Sequence, residues 1–283
     1  MNLNNNKFKP GLYCVATPIG NMGDISFRAI KILQESDLIL CEDTRVTKKI
    51  LQKFEINKQV ISNHKFNENK NLEKVIEILK NNKIVSLVSD AGTPAVSDPG
   101  RILVNECVKK KINIFPIPGA SAVNSAISIS GFSDNFYFCG FLSEKQNQVK
   151  KLFRNLSLLE SSIVFFISPN KFIKRIDDIK EFFLNRDIII CREITKYHEE
   201  YIRTSVKELS NVSFSRKGEI TVVISEAKKE KLSFKELEES DKKKINKLIK
   251  KMSIKDIVKK VSEDREISKK LIYKYCLEIK NEN

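Results

Sequence analysis

Val85-Ser-Leu-Val-Ser-Asp-Ala-Gly-Thr-Pro-Ala-Val-Ser-Asp-Pro-Gly100 is the stretch on which the fold of this chain turns. Ile84 to Ser89 is short, apolar and β-branched, the pattern of a strand buried in a parallel sheet. It breaks into Asp90, Gly92, Thr93 and Pro94, residues that favour tight turns. Asp98-Pro99 then reads as an N-cap with proline at the first helical position, and Ile102, Leu103 and Val104 carry the helix onward. In an open α/β sheet, ligands sit beyond the carboxyl ends of such strands. Asp90 can take hydroxyl or amino protons there, and Gly92 lets backbone approach a ligand. An ordinary strand-to-helix connection would need only two or three of these residues.

The same unit recurs on either side. Gly11 to Ala16 reads as a strand that opens into Thr17-Pro-Ile-Gly-Asn-Met-Gly-Asp24, with Asp24 as a helix cap ahead of Phe27, Ile30 and Leu33. Neither a G-x-G-x-x-G nor a P-loop pattern is present, which argues against those two nucleotide sites. Asp37 to Cys41 reads as a strand ending in Glu42-Asp-Thr-Arg45, either a site or a plain helix cap at Asp43 or Thr44. Leu72, Val75, Ile76 and Leu79 mark an amphipathic helix. Ile112 to Phe115 reads as a strand leading into Pro116-Ile-Pro-Gly-Ala-Ser-Ala122 and a helix rich in small residues. His64 has no second ligand at metal spacing, so no metal is expected. Eight of the nine glycines precede residue 141, which concentrates the special backbone conformations in the first half.

Around Ser130-Gly-Phe-Ser-Asp134 the character changes. Phe136 to Cys139, Ser162 to Ile167, Asp187 to Cys191 and Gly218 to Ile224 predict a second sheet, and Phe172, Ile176, Ile179 and Phe183 predict a single helix. Two of these strands end in polar clusters, Ser168-Pro-Asn170 and Arg192-Glu-Ile-Thr-Lys-Tyr-His-Glu-Glu200. From Ala227 onward, 18 Lys and Arg stand against 11 Asp and Glu. Apolar positions recur there at Ile245, Leu248, Ile249 and Met252, then Ile254, Ile257, Val258 and Val261, then Ile267, Leu271 and Tyr275. Short basic amphipathic helices of this kind suit a nucleic-acid module, or a solvated tail docked on its own domain. The expected organisation is residues 1–128 and 129–226 as α/β domains, with 227–283 as a small helical domain.

Composition bounds the partner. The 283 residues carry a net charge of +15, which favours a polyanion. Six scattered cysteines without C-x-x-C spacing fit a reduced compartment and no zinc site. The polar, Asn-rich start predicts no signal peptide, and the longest apolar run, Ile163 to Ile167, is too short for a bilayer. A cytoplasmic protein with no membrane partner is expected.

Six motifs in order then carry a resemblance: Ala16-Thr-Pro-Ile-Gly-Asn21, Glu42-Asp-Thr-Arg45, Ser89-Asp-Ala-Gly-Thr-Pro94 with Ser97-Asp-Pro-Gly100, Pro118-Gly-Ala-Ser-Ala122, Arg192-Glu-Ile-Thr-Lys196 with His198-Glu-Glu200, and Lys217-Gly-Glu219. From about residue 10 to 225 the chain resembles the bacterial 16S rRNA 2′-O-ribose methyltransferases of the tetrapyrrole-methylase-like superfamily. The resemblance implies two α/β domains with S-adenosylmethionine in the cleft between them, a homodimer, and a cytidine of the decoding region in the 30S subunit as target. It implies a cofactor site from Ile19, Asp90, Gly92, Thr93, Pro94, Ser121, Ala122, Phe166, Ile167, Arg192, Glu193, Gly218 and Glu219. Asp43, Arg45, Glu193, Lys196 and His198 are the catalytic candidates, Glu42 a further possible base, with Glu193 or Asp43 expected to matter most. The chain departs from the family at Ile167, where an acidic residue is common, and at Ser143-Glu144-Lys145, where basic pairs are. A methyltransferase for a small tetrapyrrole and a non-catalytic RNA-binding protein are the competing readings.

Overall fold

A computed structural model describes residues 8–227, 237–249, 251–264 and 268–281. Residues 1–227 form one compact unit and 228–283 a second. The first unit opens with β1 (Gly11–Val15), α1 (Phe27–Glu35), β2 (Leu38–Cys41), α2 (Thr44–Lys53), β3 (Val60–Ser62), α3 (Glu68–Lys80), β4 (Ile84–Val88), α4 (Arg101–Lys109), β5 (Ile114–Ile117) and α5 (Ala122–Ser130). Its five strands are all parallel, in the order β3-β2-β4-β1-β5. Parallel strands must return by crossovers, and the amphipathic helices supply them, covering both faces. Alternation along the strands divides the side chains between the faces. Tyr13, Val15 and Ile39 pack with Ala29, Ile32 and Leu33 of α1 and Leu51 of α2. Leu12, Leu40 and Val85 pack with Val75, Ile76 and Leu79 of α3 and Leu103 of α4.

The chain then runs through β6 (Phe136–Phe141), α6 (Gln146–Ser157), β7 (Ser162–Ile167), α7 (Pro169–Ile173), α8 (Ile176–Phe183), β8 (Asp187–Arg192), β9 (Glu200–Ser205) and β10 (Ile220–Ile224). This second sheet is mixed, ordered β6-β7-β10-β8-β9, with only β6 and β7 parallel. One face buries Phe153 of α6, Phe172 of α7 and Phe183 of α8 against Ile163, Phe165 and Ile190. The other face, through Val164, Ile189 and Val223, receives Val123 and Ala126 of α5. Helix α5 therefore leaves the first sheet and packs on the second. We retain the boundary near 128/129 as a proposal about folding units.

Four local expectations are corrected. Ser26 caps α1 by accepting from the Ala29 N–H at 3.1 Å, while Asp24 lies in a single 3₁₀ turn, Met22–Asp24. Helix α4 starts at Arg101 behind Gly100, whose φ of +126° only glycine adopts freely, so Asp98 and Pro99 stand outside the helix. The helix expected over 172–183 is two, α7 and α8, because the backbone turns at Lys174 and Arg175. The last strand starts at Ile220, leaving Gly218 in the turn before it at φ +93°. Helix α6 and strands β3 and β9 had no clear signal of their own.

In the second unit, α9 (Glu239–Leu248), α10 (Ile254–Asp264) and α11 (Lys269–Asn281) pack around Ile245, Ile257, Val261, Ile272 and Cys276. The buried face of α11 is thus Ile272 and Cys276, one residue on from the expected Leu271 and Tyr275; Ile267 lies outside the described residues. No helix among the described residues is long and apolar enough to cross a membrane.

Candidate functional site

Parallel strands bring their carboxyl ends to one edge, and four loops meet there. The loops after β1 and β4 are tied by a reciprocal pair: Thr17 N–H donates to the Gly92 carbonyl at 2.9 Å, and Gly92 N–H to the Thr17 carbonyl at 3.1 Å. The Thr17 hydroxyl adds a bond to the Ser89 carbonyl at 3.0 Å. Gly92 holds φ +89°, a conformation that suits glycine. After β5, the Ser121 hydroxyl caps α5 by accepting from the Asn124 N–H at 3.4 Å.

The second sheet faces this edge with the loop between β8 and β9. Glu193 and Thr195 hold left-handed backbone conformations, φ +51° and +64°. Glu193 Oε1 accepts from Lys196 Nζ at 3.0 Å and from the Glu219 N–H at 3.0 Å, and Lys196 also reaches Glu219 Oε2 at 3.0 Å. Burial opposes ionisation of Glu193, but the two hydrogen bonds and the nearby Lys196 and Arg192 outweigh it and hold the carboxyl below its ordinary range. Burial likewise works against the Lys196 ammonium, and its two carboxylate partners lift it above its usual value. Gly218 makes room for this arrangement, since a Cβ there would lie 2.6 Å from Glu193 Cδ. The two loops touch directly: Asn21 N–H donates to Thr195 Oγ1 at 3.1 Å, and a Cβ on Gly20 would lie 2.5 Å from Lys196 Cγ.

Between them lies a cavity of about 430 Å³. Of the expected cofactor residues, Ile19, Asp90, Gly92, Thr93, Ser121, Ala122, Phe166, Ile167, Glu193 and Glu219 line it. Pro94, Arg192 and Gly218 do not; Arg192 is buried against Glu200 Oε2 at 2.8 Å and the Lys217 carbonyl at 3.4 Å. Val96, Asp98, Phe141, Cys191, Ile194 and Thr221 line it unforeseen. Three of these are ordinary apolar strand or loop residues with no polar signature, and Asp98 had passed for a cap. Burial pushes the Cys191 thiol up to about 12, so it acts as an inert apolar wall.

The catalytic candidates separate. Glu193 and Lys196 line the cavity. Asp43 and Arg45 line an adjoining groove with Glu42, Ser62, His64, Lys65 and Phe66. His198 is exposed and lines neither, its ring edge-on to Tyr197. Asp43 caps α2, accepting from the Arg45 N–H at 2.8 Å, and pairs with the Arg45 guanidinium at 2.6 Å. Hydrogen bonds from Arg45 bring the Asp43 carboxyl down to about 2. Asp90 joins the two spaces: it lines both, and its Oδ1 accepts the Asp43 N–H at 3.0 Å. No group of three or more metal-ligating side chains is assembled among the described residues.

Comparison with known proteins decides the family. The model for Tetrapyrrole (Corrin/Porphyrin) Methylases matches residues 11–210. The chain belongs to the tetrapyrrole methylase family. Within this methyltransferase family, it is 43% identical over 225 residues to Ribosomal RNA small subunit methyltransferase I of Mesomycoplasma conjunctivae, covering 78% of this chain and 92% of that protein. It is also 43% identical over 217 residues to the protein of that name from Thermotoga maritima, covering 76% and 97%. Among solved structures, diphthine synthase superposes with a TM-score of 0.60 at 16% identity, over 76% of this chain and 89% of that one. Uroporphyrin-III-C-methyltransferase from Thermus thermophilus does so at 0.53 and 13%, over 77% and 93%. At these identities, the structural likenesses speak to fold alone. The resemblance carried by the six motifs and the expected α/β fold are both borne out.

Proposed function

We propose that this chain transfers a methyl group from S-adenosylmethionine to the 2′-oxygen of a cytidine ribose in the decoding region of 16S rRNA, within the 30S subunit, as a cytoplasmic homodimer. The observation that carries the reading is the pairing of a cavity with an open groove through one shared residue, Asp90. Relatives named for small-subunit rRNA methylation support the substrate.

The cavity fits the cofactor in volume and chemistry. Ile19, Phe141, Phe166 and Ile194 give apolar walls for a purine ring. Asp90, Asp98 and Glu193 supply carboxylates where ribose hydroxyls and a cation need acceptors, and the open loop at Gly92 lets a ligand reach backbone groups. S-adenosylmethionine would bring an electrophilic methyl carried on a sulfonium sulfur. The chain's own part is chiefly positioning, because an in-line displacement depends on alignment.

Glu193, Lys196 and Glu219 form a braced wall in which the Lys196 ammonium bridges the two carboxylates. Arg45 and Lys65 offer cations for phosphates at the groove, and Phe66, 93% exposed, offers a stacking face for an unpaired base. Asp43 and Glu193 are tied to cations and held ionised, which suits orienting roles better than proton uptake. The net charge of +15 adds long-range attraction to rRNA that salt should weaken.

The test is methyl transfer from labelled S-adenosylmethionine to unmodified 30S subunits, free 16S rRNA and a tetrapyrrole precursor in parallel. Label in one ribose-methylated cytidine is expected. Label in the tetrapyrrole alone would overturn the substrate, and no transfer to any acceptor together with no cofactor binding would point to a non-catalytic RNA-binding protein.

A further inference from the structure

The groove beside the cavity is built where β2 and β3 end, and it holds a fixed donor together with an unpaired acceptor. Cys41 and Ser62 are register partners in the parallel pairing of these strands. Just beyond them, Asn63 N–H donates to the Cys41 carbonyl at 2.7 Å, and the Ser62 hydroxyl to the Glu42 carbonyl at 3.1 Å. The two segments therefore leave the sheet together, and Glu42 and His64 both line the groove. Asn67 closes the turn that carries His64. Its Oδ1 accepts the His64 N–H at 2.7 Å, and its Nδ2 donates to the Ser62 carbonyl at 3.0 Å, where Asn71 Nδ2 also donates at 2.8 Å.

The imidazole is oriented as well as placed. His64 Nδ1 accepts the Phe66 N–H at 3.2 Å. A neutral ring that accepts at Nδ1 carries its proton on Nε2, so this tautomer, assigned from the hydrogen bond, leaves an Nε2–H to donate. The Phe66 ring stands edge-on to it, centroids 6.0 Å apart, so a stacking face adjoins the donor. The Glu42 carboxylate accepts no hydrogen bond and joins no ion pair among the described residues, while the Arg45 guanidinium is committed to Asp43. Burial and Asp90 push the Glu42 carboxyl above its ordinary range and His64 partly offsets them, so the two side chains act on each other across the groove.

We propose that Glu42 and His64 read the base of the target nucleotide and select cytosine over uracil. The inference rests on the cytidine reading above and gives it a source in this chain's residues. Unstacked bases are read along their Watson–Crick edges, and a carboxylate pairs with the N4 amino group of cytosine. Glu42 accepts from that amino group, and His64 Nε2–H donates to the neighbouring N3. Uracil reverses both positions: its O4 would face the carboxylate and its N3–H the imidazole N–H. Adenine carries the cytosine pattern on a larger ring, so the two groups separate amino from carbonyl bases. No proton changes hands in this recognition.

The experiment uses 30S subunits reconstituted with unmodified 16S rRNA transcripts that carry either cytidine or uridine at the methylated position. Methyl transfer is measured on both for the parent chain, Glu42→Gln and His64→Phe, with cofactor affinity by calorimetry. The parent is expected to favour cytidine roughly 10–100-fold in kcat/KM. Glu42→Gln, whose amide can face either base, should bring that ratio within about threefold. His64→Phe, which keeps a ring and loses the donor, should lower kcat/KM for cytidine about tenfold and leave uridine unchanged. Cofactor affinity should stay within about twofold in both variants. A parental ratio in both variants, equal transfer to cytidine and uridine by the parent, or loss of transfer to both bases at intact cofactor affinity would each overturn the inference. Transfer by the parent to another nucleotide, or to a tetrapyrrole alone, would instead refute the cytidine reading and this inference with it.

Discussion

The two sheets of the first unit build opposite walls of one cavity by different means. The first sheet is all parallel, so its strands deliver loops to a single edge, and those loops are stiffened by backbone: the Thr17–Gly92 pair, the turn at 95–100, the cap at Ser121. The second sheet is mixed, and its wall comes from the β8–β9 connection, held by the ion-paired side chains Glu193, Lys196 and Glu219. Backbone geometry tolerates changes of pH and salt, whereas a partly exposed ion-pair network responds to both. The comparison therefore separates a rigid wall from a tunable one.

The largest expected effect falls on the rigid side. Asp90→Ala removes the acceptor of the Asp43 N–H and a carboxylate common to cavity and groove. Losing charged hydrogen bonds of this kind costs about 1.5–3 kcal/mol each, so methyl transfer should fall about 10²-fold; an activity within twofold of the parent would refute the joining role. Phe66→Ala should raise KM for 30S subunits about tenfold at unchanged kcat, from the loss of one stacking face. Because the chain contains no tryptophan, Phe66→Trp supplies a single reporter, and quenching by an unpaired rRNA fragment would give the same contact a direct readout. On the tunable side, Lys196→Met frees Glu193 from its counter-charge. Cofactor affinity should drop a few-fold and become more sensitive to acid, since the Glu193 carboxyl would rise toward its ordinary value. Calorimetry at pH 5 and 8 measures this.

The smallest effect is on stability. The Asp98 carboxyl lies at about 6 in the folded chain, above its value when unfolded, so the folded state binds the extra proton and stability falls as pH rises through that window. A displacement from 3.8 to about 6 corresponds to at most about 3 kcal/mol, and solvent screening of this half-exposed carboxylate reduces it to about 1 kcal/mol. Asp98→Asn should accordingly be more stable by about 1 kcal/mol at pH 7.5 and equal to the parent below pH 4. Thermal melts at the two pH values check this, and the opposite sign would mean that Asp98 is ionised at no cost.

The rigid wall was the more legible in sequence, for a physical reason. A parallel strand, its loop and the following helix are contiguous, so Ser89 to Gly100 or Pro118 to Ala122 announces a loop at the carboxyl edge by local turn chemistry alone. What local chemistry could not distinguish was which residue ends the loop. Asp98-Pro99 has the composition of a cap, but Gly100 accepts the sharper backbone angle, and the helix starts after it. On the second sheet, Cys191, Ile194 and Thr221 reach the cavity through the antiparallel pairing of β8 with β9 and β10, and Phe141 through the parallel pairing of β6 with β7. Strand β9, Glu200–Ser205, is half-exposed at the sheet edge and lacks an apolar run to reveal it. In the helical unit, Ile272 and Cys276 form the buried face with Tyr275 packed at its edge; apolar residues at both 271/275 and 272/276 leave the helix phase undecided in sequence.

Helix α5 has a consequence in time. A chain made from its N-terminus completes β1 to β5 with every strand of the first sheet in hand. The apolar face of α5, however, awaits Val164, Ile189 and Val223, the last of them about a hundred residues later. At about 5–20 residues per second, this is an interval of roughly 5–20 s during which a finished sheet carries an unfinished helix. Synthesis of β10 in the middle of the second sheet ends that interval, so the cavity closes only when nearly all of residues 1–227 have been made.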